Sequence, residues 1–215
     1  MDRFAVTLRL GSPLVTGGGY MTLDALLAAI RFDAGESVES AHATIPLKNT
    51  HGLWHGSAAL YESLEVGRYA FVANLRAMHD LDPALVFRNK QGQIHKRLSL
   101  LRKREFGAVM NHYSYVVTPA LTWYGEGDAE KVEALLRTVR FIGKRRASGC
   151  GEVTGVEIEP SDSDGVVGLS GAPLRPVPLE LFSGDTSSIR GDAAWKPAYW
   201  RPENRSICYL PAPNL

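Results

Sequence analysis

A glycine-rich basic segment at residues 141–151 is the part of the chain best suited to binding chemistry. Its sequence, FIGKRRASGCG, places three consecutive bases between two groups of glycines. Glycine adopts positive φ and lets backbone N–H groups approach an anion closely, while Lys and Arg side chains suit phosphate oxygens. Several adjacent bases favour a polynucleotide over a mononucleotide. The sequence therefore predicts a loop that binds nucleic-acid phosphates through Gly143, Lys144, Arg145, Arg146, Ser148, Gly149 and Gly151.

Two familiar nucleotide-binding motifs do not fit this segment. In a P-loop the lysine follows the second glycine, and both the P-loop and the Rossmann fingerprint lead from a strand into a helix. Here the lysine follows the first glycine, and the segment lies after a predicted helix and before a predicted strand. A plain helix C-terminus with a glycine cap is the simpler alternative. It accounts for Arg140 and Gly143, but not for three bases followed by Gly-Cys-Gly.

The first half of the chain predicts a strand followed by a helix. Residues 3–10 alternate apolar and other side chains with a period of two, as a half-buried strand does. Thr22 is a candidate helix N-cap, and Asp24 lies in the first turn, where the helix dipole favours negative charge. The helix ends near Gly35. Its apolar face has the spacing i, i+3, i+4, i+7 at Leu23, Leu26, Leu27 and Ile30.

The second half repeats this order of elements. Residues 113–124 predict a strand, in which Pro119 marks an edge position or a bulge. Asp128 can cap a second helix with the same apolar spacing, and residues 153–159 predict a last strand. Together with strands and loops at 41–72, the order fits β-α-β-β-α-β. We therefore predict an α+β protein with a ferredoxin-like (RRM-like) domain at 1–160 and an irregular C-terminal extension, 161–215, packed on the same domain.

A basic insertion at about 80–105 interrupts this domain. Residues 88–104 contain no carboxylate, and a merely solvated helix or hairpin usually mixes charges of both signs. We therefore predict a second phosphate-binding surface, although a solvated charged element is the alternative. Its seven bases are Arg88, Lys90, Lys96, Arg97, Arg102, Lys103 and Arg104.

The net charge of the whole chain neither favours nor excludes nucleic-acid binding, because 24 Lys and Arg balance 23 Asp and Glu to a formal net charge of +1. The two cysteines form neither a disulfide framework nor a metal-binding set. No apolar run approaches the length of a membrane span, and the first residues lack a signal-peptide core. These features predict a cytoplasmic protein without a membrane partner.

Three motifs resemble the repeat-associated (RAMP) superfamily of CRISPR proteins. The pair GK at 143–144 followed by GCG at 149–151 is similar to the RAMP glycine-rich loop, which joins the last helix and last strand of a ferredoxin-like domain. The segment MTLDALLA at 21–28 resembles the superfamily's first-helix signature, and WHGSA at 54–58 resembles a central motif of its shorter members. The chain is most similar to the subunit that caps the 5′ end of the guide RNA, in the version found in type IV systems.

This resemblance implies a non-catalytic subunit of a CRISPR ribonucleoprotein, with no cofactor. Its expected partners are the 5′ handle of the guide RNA, the backbone RAMP subunits, the large subunit, and target DNA in the assembled complex. Related subunits carry an inserted thumb that presses on the RNA, and the basic insertion falls where such a thumb would lie. Trp54 and His55 are further candidate RNA contacts, unless they pack within a loop.

Two other functions stay open. Some RAMP proteins cleave the CRISPR repeat without a metal, which needs two convergent acid–base groups. Candidates for such groups are His42, His51, His55, His112, Tyr113 and Tyr115. A general module for single-stranded nucleic acid outside CRISPR is the other alternative. A metal site at His51 and His55 is not expected, because neighbouring glycines disfavour the helix that their spacing would need.

Overall fold

The computed structural model describes residues 1–73, 91–93 and 109–212. The chain divides into two compact units, one made of Met1–Val66 with Val116–Leu215 and the other of Gly67–Tyr115. In the described parts the elements are, in chain order, β1 (Asp2–Leu10), β2 (Leu14–Val15), α1 (Leu23–Asp33), α2 (Val38–Ala43), β3 (Asn49–Thr50), β4 (Leu53–Trp54), β5 (Glu65–Ala73), β6 (Val109–Val117), β7 (Ala120–Gly127), α3 (Ala129–Leu136), β8 (Val153–Pro160), β9 (Val177–Pro178), β10 (Arg190–Ala194) and β11 (Arg205–Tyr209).

The larger unit is built on an antiparallel sheet in which β1 lies between β7 and β8. The alternation of β1 points Phe4, Val6 and Leu8 into the main core, where each is at most 2% exposed. Trp123 of β7 is fully buried in the same core. The predicted strand at 3–10 is thus present, because its period of two matches a sheet covered on one face.

Helices α1 and α3 contact each other, and both contact the sheet. Asp128 accepts a hydrogen bond from the Lys131 amide at 3.1 Å, so the predicted cap of α3 is present. Thr22 occupies the N-cap position of α1 but makes no capping bond, since its hydroxyl donates to Tyr199 Oη at 2.9 Å. The predicted N-cap position of Thr22 is therefore confirmed, although its side chain bonds to Tyr199 and not to the first turn of the helix.

The predicted strand at 113–124 is two strands, β6 and β7, separated at Thr118 and Pro119. Pro119 cannot donate to a ladder, and its carbonyl accepts from the Leu10 amide at 2.8 Å. The proline therefore ends one strand and starts the turn into the next, so it does not form a bulge within a single strand.

Residues 161–215 belong to the larger unit and carry more regular structure than the sequence predicted. Strand β11 pairs antiparallel with both β10 and β9. A second cluster of buried apolar residues, Leu53, Val166 and Val177, lies between this region and the segment around β4. The predicted α+β class is confirmed. None of the helices in the described residues is long and apolar enough to cross a bilayer.

The smaller unit contains most of β5 and β6, which are neighbouring hydrogen-bonded strands. The rings of Tyr69 and Phe71 stack with centroids 6.1 Å apart, and Phe71 stacks on Tyr113 at 5.9 Å. Apart from residues 91–93, the predicted basic insertion at about 80–105 lies outside the described residues.

Candidate functional site

The glycine-rich basic loop joins α3 to β8, as the sequence predicts. Four of its residues adopt positive φ, namely Gly143, Arg145, Gly149 and Gly151. Between Arg145 and Gly149 the chain makes one 3-10 turn, Arg146–Ser148. The loop therefore has a compact, turn-rich backbone that displays its side chains outward.

The backbone amides of the loop are largely used within the chain. The Lys144 amide donates to Val15 O at 2.7 Å, and the Gly151 amide donates to Pro13 O at 2.9 Å. The Gly149 amide donates to Arg146 O at 2.9 Å. These groups were predicted to help form an anion nest, but they already have acceptors. An anion at this loop would therefore have to be bound mainly by side chains.

Two glycines of the loop are required by close backbone packing. A Cβ on Gly151 would lie 2.1 Å from Ile142 O, and a Cβ on Gly143 would lie 2.6 Å from Val15 O. Gly149 has no atom within 4 Å of its built Cβ. The glycines thus fix the loop against the strand and segment beside it, and only Gly149 faces open space.

The basic side chains of the loop differ in their surroundings. Lys144 is exposed, and its Nζ would lie 2.9 Å from a Cβ built on Gly17. Arg146 is exposed and pairs with Asp33 of α1 at 2.6 Å. Arg145 is half-buried. Lys144 and Arg146 are therefore the bases of the loop that a ligand in solution can reach most directly.

The loop borders a cleft of about 500 Å³ in the larger unit. Gly143 meets the glycine triplet at 17–19 along its edge, and Arg205 lies at the cleft in an ion pair with Asp192 at 2.6 Å. Proteins that bind single-stranded nucleic acid often line a groove with aromatic rings, on which the nucleobases stack, and with basic side chains, which contact the phosphates. The tyrosines that line the cleft are Tyr20, Tyr61 and Tyr199.

The two predicted RNA contacts Trp54 and His55 differ in burial. Trp54 is half-buried and packs against the main core. His55 is 9% exposed, and its ring faces Glu126 and Asp164. Burial opposes ionisation of Asp164, but His55 and two backbone amides lower the pKa of its carboxyl to about 2. The burial of His55 argues against direct RNA contact by its side chain, whereas RNA contact by the half-buried Trp54 stays a prediction.

The predicted second phosphate-binding surface lies outside the described residues. Its seven basic residues are Arg88, Lys90, Lys96, Arg97, Arg102, Lys103 and Arg104.

Sequence reasoning missed a buried ionic network beside the cleft. Asp24 and Arg175 pair at 3.1 Å with both side chains 0% exposed. The Tyr199 hydroxyl donates to Asp24 and accepts from Arg175 Nη2 at 2.8 Å. Burial raises the pKa of the Tyr199 phenol well above its ordinary value, with Asp24 adding to the effect. The network fastens the region after residue 160 to the start of α1.

One of the comparisons with known proteins identifies a family. No curated protein matches the chain. A family model described as CRISPR type IV associated protein Csf3 matches residues 89–211, which is more than half of the chain. The match extends through the glycine-rich basic loop and includes Arg175 and Tyr199. The chain therefore belongs to the Csf3 family of type IV CRISPR-associated proteins.

Proposed function

We propose that this chain is a RAMP subunit of a type IV CRISPR ribonucleoprotein, and that it binds and caps the 5′ handle of the guide RNA without cutting it. In that role it joins the backbone RAMP subunits and the large subunit, and helps the assembled complex to recognise target DNA.

The arrangement of the larger unit supports a ferredoxin-like RAMP domain. Strand order β7-β1-β8 with two helices against the sheet corresponds to three strands of β-α-β-β-α-β. A fourth position beside β7 is filled by the segment 47–60. Antiparallel bridges join its residues to β7 at Leu47 and Gly127, at Gly56 and Gly125, and at Leu60 and Thr122.

The observation that carries the proposal is the position of Lys144 and Arg146. Both are exposed on the loop between the last helix of this arrangement and its last strand, in a member of a CRISPR family. Contacts between fixed cations and phosphates release counterions from the nucleic acid, and they supply affinity without reading sequence. That is suitable for holding a guide RNA whose spacer differs from one complex to the next.

The tyrosines that line the cleft support the proposal that the bound RNA is single-stranded. Base stacking on an aromatic ring is worth about 1–3 kcal/mol and tolerates any base. Tyr20 is 40% exposed at the cleft, so its ring is accessible to a base. A strand that follows the cleft would bring its phosphates to Lys144.

Capping without cleavage is consistent with fixed charges as the main binding groups. RNA cleavage needs two titrating groups within reach of one phosphodiester. Lys and Arg side chains bind phosphate as cations, so Lys144 and Arg146 can keep a strand bent and intact.

The test is the double variant Lys144→Ala/Arg146→Ala, with Lys131→Ala/Arg137→Ala as the matched control. Both variants remove two positive charges, but Lys131 of α3 pairs with the N-cap Asp128, and Arg137, directly after α3, pairs with Glu133. Binding of RNA that carries the repeat of the same locus is measured by fluorescence anisotropy over a range of salt. The loop variant should bind about tenfold more weakly, and its salt slope should fall by about 1.4, since each phosphate that the loop neutralises accounts for about 0.7 of the slope.

The same RNA is recovered after incubation with the wild-type chain and should be whole. An unchanged salt slope in a folded loop variant would remove the proposed interface. Specific cutting within the repeat would instead favour a processing nuclease.

A further inference from the structure

The imidazole of His55 lies buried between two carboxylates. Its Nδ1 is 3.6 Å from Asp164 Oδ2 and 3.8 Å from Glu126 Oε2. These separations are longer than a hydrogen bond, and Nδ1 is a buried nitrogen without a hydrogen-bond partner. A buried polar atom left without a partner is costly, so this nitrogen requires an explanation.

Each of the three side chains is held by its other polar atom. His55 Nε2 contacts Thr50 Oγ1 at 2.9 Å. Asp164 Oδ1 accepts from two backbone amides, at 2.8 and 3.1 Å. Glu126 Oε1 accepts from Lys48 Nζ at 2.8 Å. His55 Nδ1, Asp164 Oδ2 and Glu126 Oε2 face a shared centre and lie within 4.8 Å of one another. Glu126 Oε2 also accepts a long hydrogen bond from Arg3 Nε at 3.4 Å.

This spacing is that of ligands around a metal ion. Ligands about 2.0–2.2 Å from zinc are separated by about 3.4 Å in a tetrahedral site. The observed 3.6 and 3.8 Å exceed that separation by only a few tenths of an ångström. The contact between Thr50 and Nε2 is also typical, because a metal-bound histidine is usually oriented by a hydrogen bond at its second nitrogen.

We propose that His55 Nδ1, Glu126 Oε2 and Asp164 Oδ2 bind one divalent transition-metal ion, with Zn²⁺ or Mn²⁺ as the fitting class. The imidazole favours Zn²⁺, and the two carboxylates also suit Mn²⁺, whereas Mg²⁺ prefers only oxygen ligands in a regular octahedron. The ion cross-links the segment after β4, the end of β7 and the loop after β8. The sequence predicted no metal here, because it paired His55 with the exposed His51 and gave no sign of the distant carboxylates.

The alternative to a metal ion is a proton on His55 Nδ1, which would point toward the two carboxylates. Glu126 also faces Lys48 and Arg3, whose side chains are 38% and 52% exposed. An imidazolium between the two carboxylates would make the cluster a purely ionic contact. Metal and proton are distinguished by titrating the metal-free protein with each in turn.

The experiment uses the full chain after treatment with EDTA, titrated with Zn²⁺, Mn²⁺ or Mg²⁺ by calorimetry and followed by thermal unfolding. Zn²⁺ should bind with one-to-one stoichiometry. At free zinc about 100 times Kd it should raise Tm by about 5–10 °C, whereas Mg²⁺ should have little effect. Co²⁺ can replace zinc as a spectroscopic probe. When it is bound at this site, its visible d–d absorption should be that of Co²⁺ with nitrogen and oxygen ligands.

Two ligand variants and one control decide the site. Asp164→Asn retains the acceptor for the two backbone amides, so it should fold, yet it should bind zinc at least about 100-fold more weakly, as should His55→Gln. His51→Asn is the control, because His51 is exposed with φ of 53° and asparagine tolerates that conformation. It should bind zinc as the wild type does.

Three results would overturn the proposal. They are no one-to-one binding of Zn²⁺ or Mn²⁺ by the wild type, equal affinity in folded Asp164→Asn, and a wild type stabilised by mild acid but not by metal. The last result would assign the space to a proton on His55.

Discussion

Two aspartates of α1 pair with distant arginines, and their surroundings are opposite. Asp24, at the start of the helix, meets Arg175 at 3.1 Å with both side chains fully buried. Asp33, at its end, meets Arg146 at 2.6 Å with side chains 49% and 52% exposed. A buried charge left alone is strongly destabilising, whereas an exposed pair contributes about 0–1 kcal/mol. The first pair is therefore a fixed part of the scaffold, and the second can exchange its partner.

This difference separates two roles along one helix. Arg175 also donates to the carbonyl oxygens of Gly56 and Trp195, at 2.9 and 2.8 Å, so its guanidinium joins three parts of the chain. Arg146 has the carboxylate of Asp33 beside it and solvent beyond. A phosphate can replace Asp33 at Arg146, but no ligand in solution can reach Arg175.

Replacing Arg175 should give the largest effect. Arg175→Met leaves Asp24 buried without its cation, and we expect a decrease of about 3–5 kcal/mol in the free energy of unfolding. Urea denaturation followed by tryptophan fluorescence measures this. The double variant Asp24→Leu/Arg175→Met removes both charges and should recover part of the decrease. If the double variant loses as much free energy of unfolding as Arg175→Met and Asp24→Leu lose in sum, the two residues act independently. The buried pair would then not be a coupled part of the scaffold.

The glycines of the loop should show the same contrast between packed and open positions. Gly151→Ala places a Cβ against Ile142 O and also strains a residue at φ of 72°. Gly149→Ala meets open space and adds only the strain of positive φ, about 1–2 kcal/mol. We therefore expect Gly151→Ala to lower Tm clearly more than Gly149→Ala. Equal shifts in differential scanning calorimetry would show that the loop is not held at Ile142.

The buried network should respond to alkaline pH. Burial raises the pKa of Tyr199 in the folded chain above its value of about 10 in the unfolded chain. The contribution of this group to stability is thus complete below about pH 10 and declines as the pH rises further, by up to about 1.4 kcal/mol per pH unit. Denaturation at about pH 9 and pH 11 should show a steeper decline in the wild type than in Tyr199→Phe. Parallel declines in the two proteins would mean that Tyr199 ionises while the chain is folded.

The sequence predicted the parts of the fold that local patterns determine. The alternation at 3–10 and the apolar spacing before Gly35 gave β1 and α1, because periodicity reports which face of an element is buried. It also placed Thr22 at the N-cap of α1, but it could not show that the Thr22 hydroxyl bonds to Tyr199 far along the chain. The sequence prediction also joined β6 and β7 into one strand, since Pro119 was interpreted as an edge position or a bulge.

The candidate site divides in the same way. Lys144 and Arg146 could be proposed from the sequence, because the basic residues of the loop are contiguous in it. The pairing of Asp24 with Arg175 spans 151 residues, and no local pattern indicates that either charge is buried. His55 was predicted to contact RNA or pack in a loop, and only the fold shows that it faces two carboxylates. Contacts made by tertiary structure alone were therefore the ones that the sequence could not supply.

The smallest effect should come from Asp33→Asn, which tests the exposed pair directly. The change removes the carboxylate that competes with phosphate for Arg146, but retains the size of the side chain. Because an exposed ion pair is worth about 0–1 kcal/mol, RNA affinity should rise by at most about fivefold while Tm changes little. The rise should shrink at high salt, where exposed charges are screened.

In an Arg146→Ala background the substitution should have a much smaller effect on RNA affinity, since only the general gain of one positive charge remains. A rise of the same size in both backgrounds, measured by anisotropy, would show that Asp33 acts through the overall charge of the chain and not through Arg146.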